Sequence, residues 1–177
     1  DKLPPGGRHM DTTPADDGFY MPPDWGPHER CWMAWPCRVG AWRDELDLAC
    51  LATAALARAI AKYESVNMLV PPALIPVARL QLGSLVSIWE AELDDSWARD
   101  IAPNFLVDGD GGLAGAVFDF NAWGNKFRDY RDDAKVGAWP GSSMATPLTR
   151  RHVHYKSTLT TRAEPCVPMS RPSWAQP

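Results

Sequence analysis

The stretch LDLACLATAALARAIAKYESVNMLVPPALIPVARLQLGSLVSIW, residues 46–89, decides the fold. Its first part places Leu48, Leu51, Ala55, Leu56, Ala59 and Ile60 close to the 3.6-residue period that lines one side of a helix, and that side is expected to pack on a sheet. Asp44, just ahead, is the expected cap, because a short carboxylate can accept from the first backbone N–H groups that a helix leaves unpaired. Val66–Val70 then reads as a buried strand, Pro72–Leu82 as a second helix stopped by Gly83, and Leu85–Trp89 as another strand. Strand and helix alternate, which is the pattern of an α/β fold.

The pattern extends in both directions. Upstream, FYMPPDWGPHERCWMAWPCRVGAWRD (19–44) interleaves aromatic residues with Pro and Gly; Cys31–Trp35 reads as a short buried strand ended by Pro36, with loops on either side. Downstream, the acidic segment AELDDSWARDIAP (91–103) leaves a strand. Then come the strand NFLVD, a hairpin turn at Asp110-Gly111, the strand LAGAVFDF, the loop NAWGNKF and the first turns of a helix in RDDAKVGAW, capped near Asp132. Residues 1–18 are rich in Pro, Gly and charge without periodicity, which predicts a mobile tail. Residues 140–177 set Arg150, Arg151, Lys156, Arg162 and Arg171 against the single acid Glu164. That shift in character suggests a foreign or shifted reading frame, or a disordered tail.

Bulk composition narrows the function. The 177 residues are 45% hydrophobic, enough for a domain with a core, and 18 Lys+Arg against 22 Asp+Glu give a net charge of -4. No global basic field gathers nucleic acid or anionic lipid, so the expected partner is small and neutral to cationic. No run reaches the roughly 18 apolar residues of a membrane span, and residues 1–8 lack the pattern of a secretory leader, so the expected location is cytoplasmic. Cys31, Cys37, Cys50 and Cys166 are irregularly spaced, as befits reduced thiols, and Cys31 and Cys37 lack a second Cys/His pair for zinc. Their expected state is a buried or loop thiol of ordinary reactivity.

The chemistry-bearing cluster is DDSWARD. Asp94, Asp95 and Asp100 lie within seven positions after a strand, with Trp97 and Arg99 between them. In α/β proteins function gathers where strands open onto loops. An arbitrary acidic pair is a solvated loop, but an indole and a guanidinium inside the cluster point to a partly dry site whose carboxylates need cationic partners. A guanidinium ligand supplies that cation, meets a carboxylate through a planar two-point fork and lies against an indole face. A divalent metal is the rival ligand, disfavoured by the absence of a Gly-punctuated calcium loop and of histidine at ligand spacing.

Three segments together, MPPDWGPHERCWMAWPCRVGAWRD, DDSWARDIAPNFLVD and FDFNAWGNKF, resemble in the same order three signature regions of agmatine deiminases, over residues 18–139. The wider family includes bacterial peptidylarginine deiminases, less similar in CWMAWPCR. The resemblance implies a five-fold pseudosymmetric α/β propeller, the pentein fold, of which residues 19–139 supply about two of five units. It implies a hydrolase acting on agmatine, in putrescine biosynthesis, without metal or cofactor, and homo-oligomeric as a full-length protein. By motif, Asp100 is the guanidinium-binding aspartate and Trp97 the wall of the site. Asp94 and Asp95 shape its rim or meet the substrate amine; Arg99, Asn121, Trp123 and Gly124 shape the site, with an ion pair the alternative for Arg99 and plain loop packing for the rest.

The departures matter as much. The family's Glu-Gly-Gly, His-Val-Asp-Asp-like and Gly-Gly-Gly-Asn-Ile-His-Cys motifs have no counterpart here, so the expectation is an N-terminal fragment without its own nucleophilic cysteine or proton-transferring histidine. Alternatives are a peptidyl-arginine deiminase, a non-catalytic guanidinium-binding remnant and a pseudogene product. His28, His152 and His154 are expected to carry no chemistry.

Overall fold

The computed structural model of the chain describes residues 13–138 and the backbone of residues 154–157. Strands β1 (Arg30–Ala34), β2 (Ser65–Val70) and β3 (Val86–Glu90) form a parallel sheet in that order. Parallel neighbours need a crossover, and the chain supplies helices for both. Between β1 and β2 run the short helix α1 (Val39–Trp42), a 3-10 turn (Arg43–Glu45) and the long helix α2 (Leu46–Ile60); between β2 and β3, a 3-10 turn (Pro72–Leu74) leads into α3 (Ile75–Leu82). Gly83 ends α3 at φ 70, a left-handed conformation that glycine adopts at little cost.

Alternation along β2 divides the interior. Val66, Met68 and Val70 join Trp35, Cys50, Ala54, Ala57, Ala78 and Leu82 under the helices. Leu69, on the opposite side, joins Ala34, Leu93, Ile101, Phe120 and Val136. A strand buried on both faces carries an apolar run, which is why SVNMLV is broken only by Asn67.

A second sheet has the order β4 (Asn104–Val107), β5 (Leu113–Phe118), β6 (His154–Ser157). The β4–β5 pair is antiparallel and β5–β6 parallel. In the hairpin turn the Asp108 carboxylate accepts from the N–H groups of Asp110 and Gly112, and Gly111 takes φ 76. Tyr20 exchanges both backbone hydrogen bonds with Val107, and its neighbour Phe19 is buried with Leu106 and Ala114. The short helix α4 (Ala98–Ile101) carries the chain from the first sheet to the second, and α5 (Ala122–Asn125) and α6 (Asp133–Val136) follow β5.

Several expectations are corrected. The buried side of α2 is Cys50, Ala54 and Ala57, whereas Leu48, Leu51 and Leu56 are 64%, 53% and 55% exposed. The large side chains Trp35, Met68 and Val66 already fill the space above the sheet, so the helix approaches on its small residues. Asp44 does not cap α2; it sits inside the 3-10 turn through which the chain enters the helix, and Glu45 at the N-cap position makes no side-chain cap. Thr13–Gly18 is a hydrogen-bonded turn in which the Asp16 carboxylate accepts from the N–H and hydroxyl of Thr13. Residues 1–12 lie outside the described residues, as do 139–177 apart from 154–157, whose backbone pairs with β5. Among the described residues no helix is long and apolar enough to cross a membrane.

The orientation of α2 is directly testable. Met68→Ala should lower stability by about 2–5 kcal/mol in urea unfolding, since it leaves a cavity at a fully buried position. Leu48→Ala in the dilute chain should fall within about 0.5 kcal/mol of the parent. Equal losses would mean that the helix packs on the other side.

Candidate functional site

The site forms where β3 ends and the chain turns into α4. Ala91 and Leu93 are buried and pin the segment to the lower core, and Ile101 does the same one helical turn after Trp97. The turn itself is held by the Trp97 carbonyl, which accepts from the N–H groups of Asp100 and Ile101.

Asp94 and Asp95, expected at the rim, turn inward instead. The Asp94 carboxylate accepts from the backbone N–H groups of Asp132 (2.8 Å) and Asp133 (3.2 Å) at the start of α6. The Asp133 carboxylate in return accepts from the N–H groups of Asp94 (2.8 Å) and Asp95 (3.2 Å). The cap expected near Asp132 is therefore provided by Asp94 from a distant part of the chain. Asp95 is 4% exposed: one oxygen accepts from the Trp42 indole (3.1 Å) and the Ser96 N–H (2.9 Å), the other from the Trp97 indole (2.9 Å), with the Arg38 Nε at 3.6 Å. A carboxylate so enclosed is costly to leave short of hydrogen-bond donors. Arg38 also donates to the Asp129 carbonyl and lies over the Phe127 ring, 5.3 Å from its centre.

Asp100, by contrast, is exposed, and its Oδ1 accepts from the Trp123 indole at 3.2 Å. Trp97 is 45% exposed beside it, roughly parallel to Trp42 (6.4 Å, 12°) and edge-on to Trp123 (5.9 Å, 88°). Trp123 also meets Phe120 and Phe127 edge-on, at 5.1 and 5.9 Å. Its placement depends on an unusual backbone. Ala122, Trp123, Gly124 and Asn125 all have positive φ (51, 54, 81 and 61), so α5, expected as a plain loop, is a left-handed turn. L-residues resist that conformation by about 1–2 kcal/mol each, and the Asn121 side chain supports it by accepting from the Gly124 N–H at 2.9 Å. A hollow of ≈ 260 Å³ opens between Trp32, Ala34, Ser96, Trp97, Arg99 and Asp100. Arg99 reaches away, to an exposed ion pair with Asp24 at 3.4 Å.

The structure thus gathers Trp97, Asp100 and Trp123 around an open face, keeps Asn121 and Gly124 as the frame of Trp123, buries Asp95 and turns the half-buried Asp94 toward the start of α6. Trp42, Arg38 and Asp133 were not singled out from the sequence. Trp42 and Arg38 lay within a quoted signature without being marked out there, whereas Asp133 lay outside all three.

The three described thiols are poor nucleophiles. Burial first, then the negative charges of Asp95, Asp133 and Asp94, push Cys37 up to about 12, and its Sγ donates to the Leu93 carbonyl at 3.5 Å. Burial likewise raises Cys31 and Cys50 above the ordinary thiol value. His28 is raised by the Gly26 carbonyl and by Glu64, its ion-pair partner on the turn between α2 and β2. Among the described residues no group of three or more His, Cys, Asp or Glu is disposed to hold a metal ion.

Known proteins share this sequence and shape. A family model described as Porphyromonas-type peptidyl-arginine deiminase matches residues 20–155. A Streptomyces avermitilis protein, provisionally named an agmatine deiminase, is 46% identical over 133 residues, covering 73% of this chain and 38% of its own. The agmatine deiminase of Stutzerimonas stutzeri is 40% identical over 132 residues, covering 72% and 36%. The solved agmatine deiminase of Enterococcus faecalis superposes with a TM-score of 0.77 at 28% identity, over 86% of this chain and 41% of that one. The chain therefore spans about two fifths of the length of the proteins it matches.

Asp133 gives the site a pH signature. Burial raises its carboxyl to about 6, against the two N–H bonds that favour the charged form, and Asp94 and Asp95 raise it further. Its folded value lies above the unfolded 3.8, so between about pH 4 and 6 the folded chain binds the extra proton and stability falls as pH rises. Asp133→Asn, which keeps an acceptor for both N–H groups, should flatten urea stability across that window and match or exceed the parent at pH 7. A steeper loss in the variant would contradict a carboxyl that prefers to be neutral.

Proposed function

Because the chain belongs to the Porphyromonas-type peptidyl-arginine deiminase family, we propose that it forms the guanidinium-holding part of an agmatine deiminase, a hydrolase converting agmatine and water to N-carbamoylputrescine and ammonia. The observation that carries the reading is the exposed Asp100 carboxylate set between the Trp97 and Trp123 indoles. A guanidinium stays protonated at neutral pH, so it can fork onto Asp100 while its flat, weakly hydrated face lies on Trp97. The Trp123 indole steers Asp100 by occupying one lone pair of Oδ1, which leaves the second lone pair of that oxygen and the whole of Oδ2 for the fork. Asp95 acts behind this surface by clamping the indoles of Trp42 and Trp97, which limits the freedom lost on binding.

Agmatine is favoured over a peptidyl arginine by the names of the relatives at 40% identity and above. The two three-stranded sheets correspond, in this reading, to two units of a five-unit propeller whose central channel receives the guanidinium. The hydrolysis itself needs a thiolate against the guanidinium carbon and a proton donor for the departing ammonia. Cys31, Cys37 and Cys50 are all held in the thiol form. Alone, the chain binds without turnover.

Two experiments test this. In the full-length Stutzerimonas stutzeri relative, Asp→Asn at the residue aligned with Asp100 should lower turnover of agmatine at least a hundredfold, since breaking a partly buried charge pair costs about 3–5 kcal/mol. A loss within about threefold removes Asp100 from the guanidinium site, and faster turnover of a blocked peptidyl arginine than of agmatine reverses the substrate choice. Separately, the chain alone given millimolar agmatine should release no more ammonia than a heated blank. Release that vanished in Cys31→Ser/Cys37→Ser would reassign the nucleophile to the N-terminal segment.

A further inference from the structure

Arg99 places the chain's own guanidinium one residue from Asp100. Its side chain lines the ≈ 260 Å³ hollow beside Trp97 and Asp100, and also a neighbouring hollow of ≈ 390 Å³ between residues 21–28 and residues 102–105. The two hollows share Trp32 and Ala98 as well. Successive residues of a helix point about 100° apart, but an arginine is long enough to turn back into a hollow that it already lines. An arginine meets a carboxylate through the same planar fork as a guanidinium ligand. Tethered this close, it is present at an effective concentration on the order of millimolar, which makes Arg99 a standing competitor for Asp100.

The structure directs that guanidinium elsewhere: Arg99 Nη1 lies 3.4 Å from Asp24 Oδ1. Taken alone, an exposed ion pair is weak, because water screens it and a long side chain must be ordered. Asp24, however, stands on a strap, residues 20–29, that has little freedom left to lose. At one end Tyr20 exchanges backbone hydrogen bonds with Val107. At the other, His28 Nε2 lies 2.5 Å from Glu64 Oε2, and His28 Nδ1 lies 2.9 Å from the Gly26 carbonyl. Between these anchors Pro22, Pro23 and Pro27 fix their own φ, and the Gly26 N–H donates to the Pro23 carbonyl at 2.8 Å, so that Asp24 and Trp25 form the tip of a closed turn. A carboxylate held still costs less entropy to pair, and even a weak contact then sets the direction in which Arg99 points.

We propose that Asp24 is a positioning residue which holds Arg99 off Asp100 and so keeps the site open to a guanidinium ligand. The inference rests on the reading of Asp100 as the guanidinium-holding carboxylate. Without Asp24, Arg99 spends part of its time on Asp100, and a ligand binds only the fraction of chains in which that carboxylate is free. Since a solvated guanidinium–carboxylate contact is weak, the loss is a few-fold rather than complete.

Calorimetric titration of agmatine into the purified chain, with heteronuclear NMR of its indole N–H groups, tests this. Asp24→Asn should weaken agmatine binding about two- to fivefold. Without ligand, the same variant should move the Trp123 indole signal, because Arg99 then meets the carboxylate that accepts from that N–H. Asp24→Asn/Arg99→Gln should bind within about 1.5-fold of the parent and return the signal, whereas damage to the strap would persist in the double variant. Arg99→Gln alone breaks the same ion pair but removes the competitor with it, so it should bind more tightly than Asp24→Asn. A Trp123 signal unmoved in ligand-free Asp24→Asn, or an affinity loss that the double variant keeps, overturns the role of Asp24 and leaves Asp100 in place. A parent and an Asp100→Asn variant that take up agmatine equally, or not at all, overturn the reading of Asp100 instead; the ligand-free signal then still decides whether Asp24 directs Arg99.

Discussion

Everything that shapes the open face depends on the exchange of backbone hydrogen bonds between Asp94 and Asp133. Each carboxylate accepts from two N–H groups beside the other, across 38 and 39 residues of chain. Bonds to an ionised acceptor are worth about 1.5–3 kcal/mol each, enough to fix the end of β3 against the start of α6. The arrangement also has a cost. Asp133 is 2% exposed, and burying its charge raises the carboxyl despite both bonds. The neutral and charged forms are thus closely balanced near pH 6.

With the backbone of residues 94 and 95 fixed, the Asp95 side chain enters the interior, where its donors are two indoles, one backbone N–H and a neighbouring guanidinium. A buried carboxylate left short of donors would be costly, so the tryptophans are held where they are by the need to satisfy it. Trp97 is consequently rigid at one edge and exposed on its face. Trp123 is fixed from the other side by the left-handed turn, whose strain is offset by the Asn121 bond and by edge-on contacts with Phe120 and Phe127. Asp100 stands between two indoles that have no freedom to follow it, so it presents a preorganised carboxylate.

The same carboxylates explain the quiet thiol in their midst. Cys37 donates to the Leu93 carbonyl beside Asp94, and three negative charges add to burial in keeping it protonated. An environment that favours a cation at its surface disfavours a thiolate in its interior.

Local patterns were legible in the sequence because they obey local rules. The apolar runs Cys31–Trp35, Val66–Val70 and Leu85–Trp89 match β1, β2 and β3 to within one residue at each end, Gly83 ends a helix, and the three signature segments identify the family. The acidic cluster could be found, but the division of labour within it could not. Asp94, Asp95 and Asp100 are the same residue type a few positions apart, and what separates an enclosed carboxylate from an outward-facing one is Asp133, Trp42 and Trp123, all distant in sequence. The face of α2 went astray for a similar reason. Periodicity finds an apolar stripe but does not say which of two stripes meets the sheet, and here bulk contributed by Trp35 and Met68 selects the alanine side. Sequence alone determined the alternation of strands and helices over residues 46–89 and the family. Tertiary structure decided which carboxylate faces outward and which way each helix turns, because burial and hydrogen-bond satisfaction are settled by whatever residues the fold brings alongside.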